Sequence, residues 1–341
     1  MRALASSLVE RMPALTVQRS AARSLANAQD NRPYIERSIL DPAVTAGRDG
    51  HPSALVIAAG PSLHLRDPVA QILKRGYPGV VVSVDGALGY CLRNGLVPHY
   101  VVVLDPHPSR VARWLGDPEL ESREDDDDYF RRQDLDPYLG VDERRKNREL
   151  IELVNRHGPR IRAIVSTSVS MNVTRRCREA GMAMFWWNPL LDDVDAPESM
   201  TRRLHAANGM PCMVSGGNVG TAAWVFAHQV LGKREVALVG MDLSYAPGTP
   251  LENTQYYKEI AELFGPRAAD AYVRVYNPHL KATWYADPAY YWYRQSFLEM
   301  ARAAECVTLN CTEGGILFGK GVRFLPLKTF LARSAPKRRE G

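Results

Sequence analysis

The stretch LVIAAGPSLHLRD, Leu55 to Asp67, decides how the chain folds. An apolar, β-branched run breaks at Gly60-Pro61-Ser62, and a polar, helix-like segment follows. Such a corner has two readings. It reverses the chain, with Ser62 as a helix N-cap, or its small residues bring backbone amides to a nucleotide phosphate at a helix start.

Runs of the same kind recur along the sequence. ALVIA (54–58) is followed by VVVSV (80–84), YVVVL (100–104), IRAIV (161–165), EVALVG (235–240) and CVTLN (306–310), with helix-length segments between many of them. Continuous apolar strands alternating with helices predict an α/β, Rossmann-like fold, with a mostly parallel sheet covered by helices on both faces. The organisation expected is a helical N-terminal arm over 1–50, an α/β nucleotide-binding domain over 51–330, and a basic tail over 331–341. Two stretches interrupt the strand–helix rhythm. Residues 106–160 read as an insertion holding four successive acids, Asp125 to Asp128, a solvated like-charge run, and then the helix VDERRKNRELIELVNRHG. Residues 246–290 read as a lid-like segment with Tyr256, Tyr257, His279, Trp284 and Tyr285. From about Asp287 a helix carries Tyr290, Tyr293, Phe297 and Met300 at helical spacing, a stripe that reads as core.

The bulk properties narrow the function. The chain has 341 residues, 45% hydrophobic and 24% charged, which is ordinary for a globular protein. No apolar run is long enough for a transmembrane helix. The Arg-rich N-terminus lacks the apolar core of a secretory signal, and a cytoplasmic location is expected. The net charge of +5 is spread among interspersed acids and bases, so it fits an anionic small molecule and predicts no nucleic-acid partner. The five cysteines include no Cys-x-x-Cys pair and read as reduced, buried thiols.

In doubly wound sheets, ligands bind beyond the carboxyl ends of the strands. Gly60-Pro61-Ser62 follows the first run, Asp85-Gly86 the second and Asp105 the third. The run at 235–239 is followed by Gly240-Met241-Asp242 and then Ser244-Tyr245. Each has a plain alternative: Asp85 caps a helix, and Asp105 before Pro106 makes a turn. Together they predict a site on one edge. Ser215-Gly216-Gly217-Asn218 precedes a predicted helix, 219–231, and suits a phosphate at a helix start or close helix packing through glycine. The stretch matches neither the Walker pattern nor Gly-x-Gly-x-x-Gly, so no nicotinamide cofactor is expected.

AAGPSL (58–63), SVDGALGYCLRNGLVPHYVVVLDPHP (83–108), SGGNVGTAAWVFAHQVLGKREVALVGMDLSY (215–245) and NCTEGGILFGKGV (310–322) together resemble the MptE-like family. That family includes 6-hydroxymethyl-dihydropterin diphosphokinases and the motility accessory factors that glycosylate flagellins. The first and third motifs also resemble bacterial sialyltransferases, which implies a sialyltransferase-like variant of the GT-A fold. The resemblance implies that Gly60, Pro61, Ser62, Ser215 and Gly216 line a nucleotide, with Asp85 and Asp105 in the same pocket; Gly86, Gly217 and Asn218 complete the expected binding set. The sequence departs from the sialyltransferase pattern at three places. Ala59 stands where Asn is expected. Ser244 stands where Tyr is expected, with Tyr245 one step later. The nearest His, His279, lies upstream of the expected base near Tyr285 to Asp287.

Three functions follow as expectations. The first is a glycosyltransferase moving a CMP-activated, nonulosonic-type sugar to a protein or glycan hydroxyl. It would need no metal and no tightly bound cofactor; His279 would be the base, with Asp287 or Asp242 as fallback, and Tyr245 or Tyr285 would bind the leaving phosphate. The second is a diphosphokinase that uses ATP and Mg²⁺, with Asp85, Asp105 and Asp242 as metal ligands and a pterin-like alcohol as acceptor. The third is a non-catalytic nucleotide-binding protein.

Overall fold

The computed structural model describes residues 3–46, 50–108, 110–122 and 142–335. All six apolar runs are strands: β1 (Ser53–Ile57), β2 (Val80–Val84), β3 (Tyr100–Val103), β4 (Arg162–Ser166), β7 (Glu235–Val239) and β10 (Val307–Asn310). Three strands outside the sequence reading join them: β5 (Ala183–Leu190), β6 (Cys212–Val214) and β11 (Val322–Phe324). β5 lacks a β-branched run, and β6 and β11 are too short for a periodic signal. Among the described residues the helices are α1 (Ala3–Asn31), α2 (Ser62–Arg66), α3 (Pro68–Arg75), α4 (Asp85–Arg93), α5 (Arg110–Trp114), α6 (Glu143–His157), α7 (Met171–Glu179), α8 (Met200–Asn208), α9 (Val219–Val225), α10 (Tyr257–Phe264), α11 (Pro288–Ala303) and α12 (Leu327–Ser334). The predicted helix 219–231 ends its α-helical part at Val225 and continues as a π turn over Phe226–Val230.

The nine strands form one sheet in the order β11-β10-β7-β1-β2-β3-β4-β5-β6, and every pairing is parallel. Alternate residues feed opposite faces. Tyr100 and Val102 of β3 join one core with Trp224 and Phe297, while Val101 and Val103 join another with Leu150 and Trp186. The fold is therefore α/β and Rossmann-like, with a core on each face. The strand order reverses between β1 and β7, which opens a crevice beyond their carboxyl ends.

The interrupting stretches have structure of their own. Arg176 of α7 is buried, and its Nε donates to the Gly116 carbonyl at 2.6 Å and its Nη1 to Asn155 Oδ1 at 2.8 Å, which ties the described part of 106–160 to the core. The Asp125–Asp128 run and most of the basic tail lie outside the described residues. The segment 246–290 holds α10 and an antiparallel hairpin, β8 (Val273–Asn277) and β9 (Ala282–Ala286). Of the cysteines, Cys91, Cys177 and Cys311 are buried, Cys306 is half-buried and Cys212 is exposed, because it starts the edge strand β6.

Gly240 fixes the crevice. Its φ is +70°, and a Cβ there would run into the Ala58 carbonyl oxygen. Its own carbonyl accepts from the Gly60 amide at 2.8 Å, so both strand ends are fastened through it. Gly240→Ala is expected to destabilise the protein by at least about 2 kcal/mol, from the left-handed backbone and the clash together. Urea unfolding with an unchanged slope checks this.

Candidate functional site

The carboxyl ends of β7 and β1 meet on Asp242. Its buried Oδ2 accepts from the Ser62 hydroxyl at 2.6 Å and from the Ser62 amide at 3.3 Å. The Ile316 amide donates to the Asp242 carbonyl at 2.8 Å. Gly60, Gly314 and Gly315 all face Asp242 so closely that a Cβ on any of them would collide with it. Three strand-end turns thus close around one carboxylate. The plain alternative for this corner had Ser62 as an N-cap. Pro61 holds that position instead, and the Ser62 side chain turns down to Asp242. The turn's amides are engaged inside the protein: Gly60 with Gly240, Ser62 with Asp242 and Leu63 with Gly60.

Beside this bracket, over β2 and β3, lie Asp85 and Asp105. Asp85 is buried in the first turn of α4, where its Oδ1 accepts from the Gly86 amide at 2.7 Å. Burial lifts its pKa to about 7; the Gly86 and Leu104 amides oppose the shift, and the charge of Asp105 adds to it. Gly86 leaves room for Ala59 and the Trp114 ring. Asp105 is exposed and turns the chain by accepting from the His107 amide at 2.7 Å.

The Ser215–Asn218 turn brings the start of α9 to the same edge. Asn218 caps the helix by accepting from the Thr221 amide at 2.9 Å. Gly216 and Gly217 both have positive φ. A Cβ on Gly216 would meet Thr221 and Met300, and one on Gly217 would meet the Trp292 and Tyr293 rings. Both glycines therefore let α11 pack on the turn. The Tyr293 and Tyr256 hydroxyls are 3.5 Å apart, and burial first, then the charges of Asp287 and Asp105, pushes Tyr293 up to about 12. Tyr293 thus joins the glycine turn to Tyr256 of the 246–290 segment, and the charge of Asp105 reaches it.

A second cluster lies beneath. Asp287 is the N-cap of α11 and fully buried; Oδ1 accepts from the Tyr290 amide at 2.9 Å and Oδ2 from the Tyr245 hydroxyl at 2.5 Å. Burial raises its pKa to about 6. The Tyr245 oxygen also accepts from the Gln255 amide at 3.0 Å, and Tyr285 donates to the Thr249 carbonyl. These hydroxyls hold the 246–257 segment onto α11.

His279 stands apart. It is exposed at the β8–β9 turn and stacks on Phe324 of β11, with ring centroids 4.7 Å apart. β11 is four strands from β2, roughly 20 Å at ordinary strand spacing. The three acids named as metal ligands also separate: Asp85 and Asp105 act on each other, while Asp242 is held by Ser62. Among the described residues no group of three or more His, Cys, Asp or Glu is arranged to hold a metal ion. An open depression of about 480 Å³ lies at the opposite end of the sheet, lined by Val97, His99, Arg160 and Arg162 among others. It is remote from the strand-end groups.

Residues 25–118, from the second half of α1 through α5, match the family model described as 6-hydroxymethylpterin diphosphokinase MptE-like. The matched region contains Asp85 and Asp105. Among solved structures the chain is similar to the MAf glycosyltransferase from Magnetospirillum magneticum AMB-1, with 15% identity and a TM-score of 0.55 over 92% of this chain. The chain spans 41% of that protein's length, and the likeness is one of fold. No curated protein matches the sequence. Among the described residues, no helix is long and apolar enough to cross a membrane.

Asp85 makes a pH prediction. A carboxyl raised to about 7 binds its proton more tightly in the folded than in the unfolded chain, so its contribution to stability falls as pH rises from about 4 through 7. Asp85→Asn keeps the acceptor for Gly86 and removes the titration. Its stability relative to wild type should rise across that window and level off above it, by at most about 4 kcal/mol. Denaturant midpoints measured from pH 5 to pH 8 check the sign.

Proposed function

We propose that this protein is a nucleotide-dependent transferase of the glycosyltransferase type. The observation that carries the reading is the convergence, at one edge of a parallel sheet, of a glycine-rich helix start, the Asp85–Asp105 pair and the Tyr256–Tyr293 hydroxyls. The fold shared with a glycosyltransferase agrees with it. The phosphate of this reading lies at the start of α9, on the helix start and its glycine pair; amides are engaged in both turns, Gly217 and Asn218 with Ser215, and Gly60 and Ser62 with Gly240 and Asp242. In this reading Gly60-Pro61-Ser62 shapes the floor under the nucleotide. Tyr256 and Tyr293, rather than Tyr245 and Tyr285, offer hydroxyls to the leaving phosphate. Tyr245 and Tyr285 already donate to Asp287 and Thr249.

The base is assigned by the same logic. Asp287 is a buried cap, Asp242 is bound by Ser62, and His279 lies over the far edge. Asp85, with a pKa near neutrality, and the exposed Asp105 remain as the acid–base pair for an acceptor hydroxyl. The donor class is a CMP-activated, nonulosonic-type sugar, and the acceptor a protein or glycan hydroxyl.

The family description of residues 25–118 favours a second reading, diphosphate transfer from ATP to a pterin-like alcohol. Mg²⁺ would then be held by Asp85 and Asp105. A thermal-shift panel of CMP, UDP, GDP and ATP, each with and without Mg²⁺, separates the readings, because a ligand that binds the native state raises its melting temperature. CMP acting without metal is the expected result. ATP acting only with Mg²⁺ would favour the diphosphokinase, and no shift with any nucleotide would sink both.

A further inference from the structure

The N-terminal helix enters the candidate site. α1 packs on α11, α8 and α7, so it lies across the carboxyl edge of the sheet. Two asparagines one helical turn apart face that edge. The Asn27 side-chain amide donates to the Ser168 carbonyl at 2.7 Å and to the Pro106 carbonyl at 3.2 Å. Asn31 is buried; its amide donates to the Thr167 and Val169 carbonyls at 2.9 and 2.7 Å, and its Oδ1 accepts from the Thr174 hydroxyl at 2.6 Å. Carbonyls that run off the end of a strand have no next ladder partner, and burial leaves them in need of a donor. Asn31 supplies donors to the β4 end alone. Asn27 bridges the β4 end and the loop after β3.

That second loop carries Asp105. Pro106, whose carbonyl Asn27 holds, is the next residue. The loop is also held at Pro108, whose carbonyl accepts from the Ser170 hydroxyl at 3.2 Å and the Asn172 amide at 3.1 Å. Asn27 thus anchors the residue that follows the exposed carboxylate, as the Leu104 amide on Asp85 anchors the one before it. At its other end α1 places Leu8 against the cluster of Tyr245 with Ile260 and Tyr272 of the lid-like segment. One helix therefore touches both walls of the cleft.

We propose that Asn27 is a positioning residue that fixes Asp105, and that α1 is a structural wall of the ligand site. The assignment to a ligand site rests on the transferase reading above; the fixing of the loop does not. Asn27→Asp has the same shape but sets an oxygen against two carbonyls, whereas Asn27→Gln keeps the amide on a longer stem. Hydrogen exchange is followed at His107, whose amide is bonded to Asp105, and at Val169, with Val56 and Val82 in the central strands as references. In Asn27→Asp, exchange at His107 and Val169 should rise about tenfold or more, with the reference amides unchanged, as for local opening. The melting shift given by CMP or ATP should be lost in the Asp variant and partly kept in the Gln variant. Unchanged exchange at His107, or an equal rise at all four amides, overturns the proposal. If the wild type gives no nucleotide shift while the exchange pattern appears as expected, the transferase reading fails and the fixing of the Asp105 loop stands. Should Asn27→Asp not fold, Asn27→Ser, which retains one donor, is compared in its place.

Discussion

A buried carboxylate at the reversal of the strand order sets the geometry of the site. Asp242 leaves β7 and binds Ser62 in the turn after β1, so two adjacent strands end in one rigid bracket. The glycines that surround it, Gly60, Gly314 and Gly315, are small because any side chain would enter the space of Asp242. A hydrogen bond in a dry interior is stronger than one in water, and its loss leaves a buried group unpaired. The bracket thereby sets the height of the crevice floor on which Ala59, Gly86 and Asp85 are arranged.

The walls follow from helix packing. Trp292, Tyr293 and Met300 of α11 close on Gly216 and Gly217, so the glycine turn is held against the aromatic side of the cleft. Asp287 fixes the start of that helix and, through Tyr245 and Gln255, the 246–257 segment above it. The opposite wall is the loop of Asp105, which α1 and α7 hold by its carbonyls. The absence of side chains at Gly216 and Gly217 is what lets α11 approach the turn.

Much of this was legible in the sequence for a definite reason. A parallel sheet buried on both faces demands continuous apolar runs, and each of the six runs is a strand of that sheet. Parallel strands share one carboxyl edge, so the residues after each run, among them Gly60, Asp85, Asp105 and Asp242, had to lie along it. The strands β5, β6 and β11 escaped because aromatic composition or three-residue length carries no period. The actual partner of the Ser62 hydroxyl, Asp242, was out of reach of either local reading because it is 180 residues away.

By itself the sequence determined the α/β class, the common edge and the residue types that occupy it, since these depend on local pattern and on the parallelism that the pattern enforces. Only the tertiary structure decided which of those residues meet. It joined Asp85 with Asp105, gave Asp242 to Ser62 and Asp287 to Tyr245, and set His279 over the far strand. It also brought Asn27 to the carbonyl of Ser168, 141 positions away. Such pairings are fixed by strand order and helix packing, and neither leaves a local signature in the order of residues.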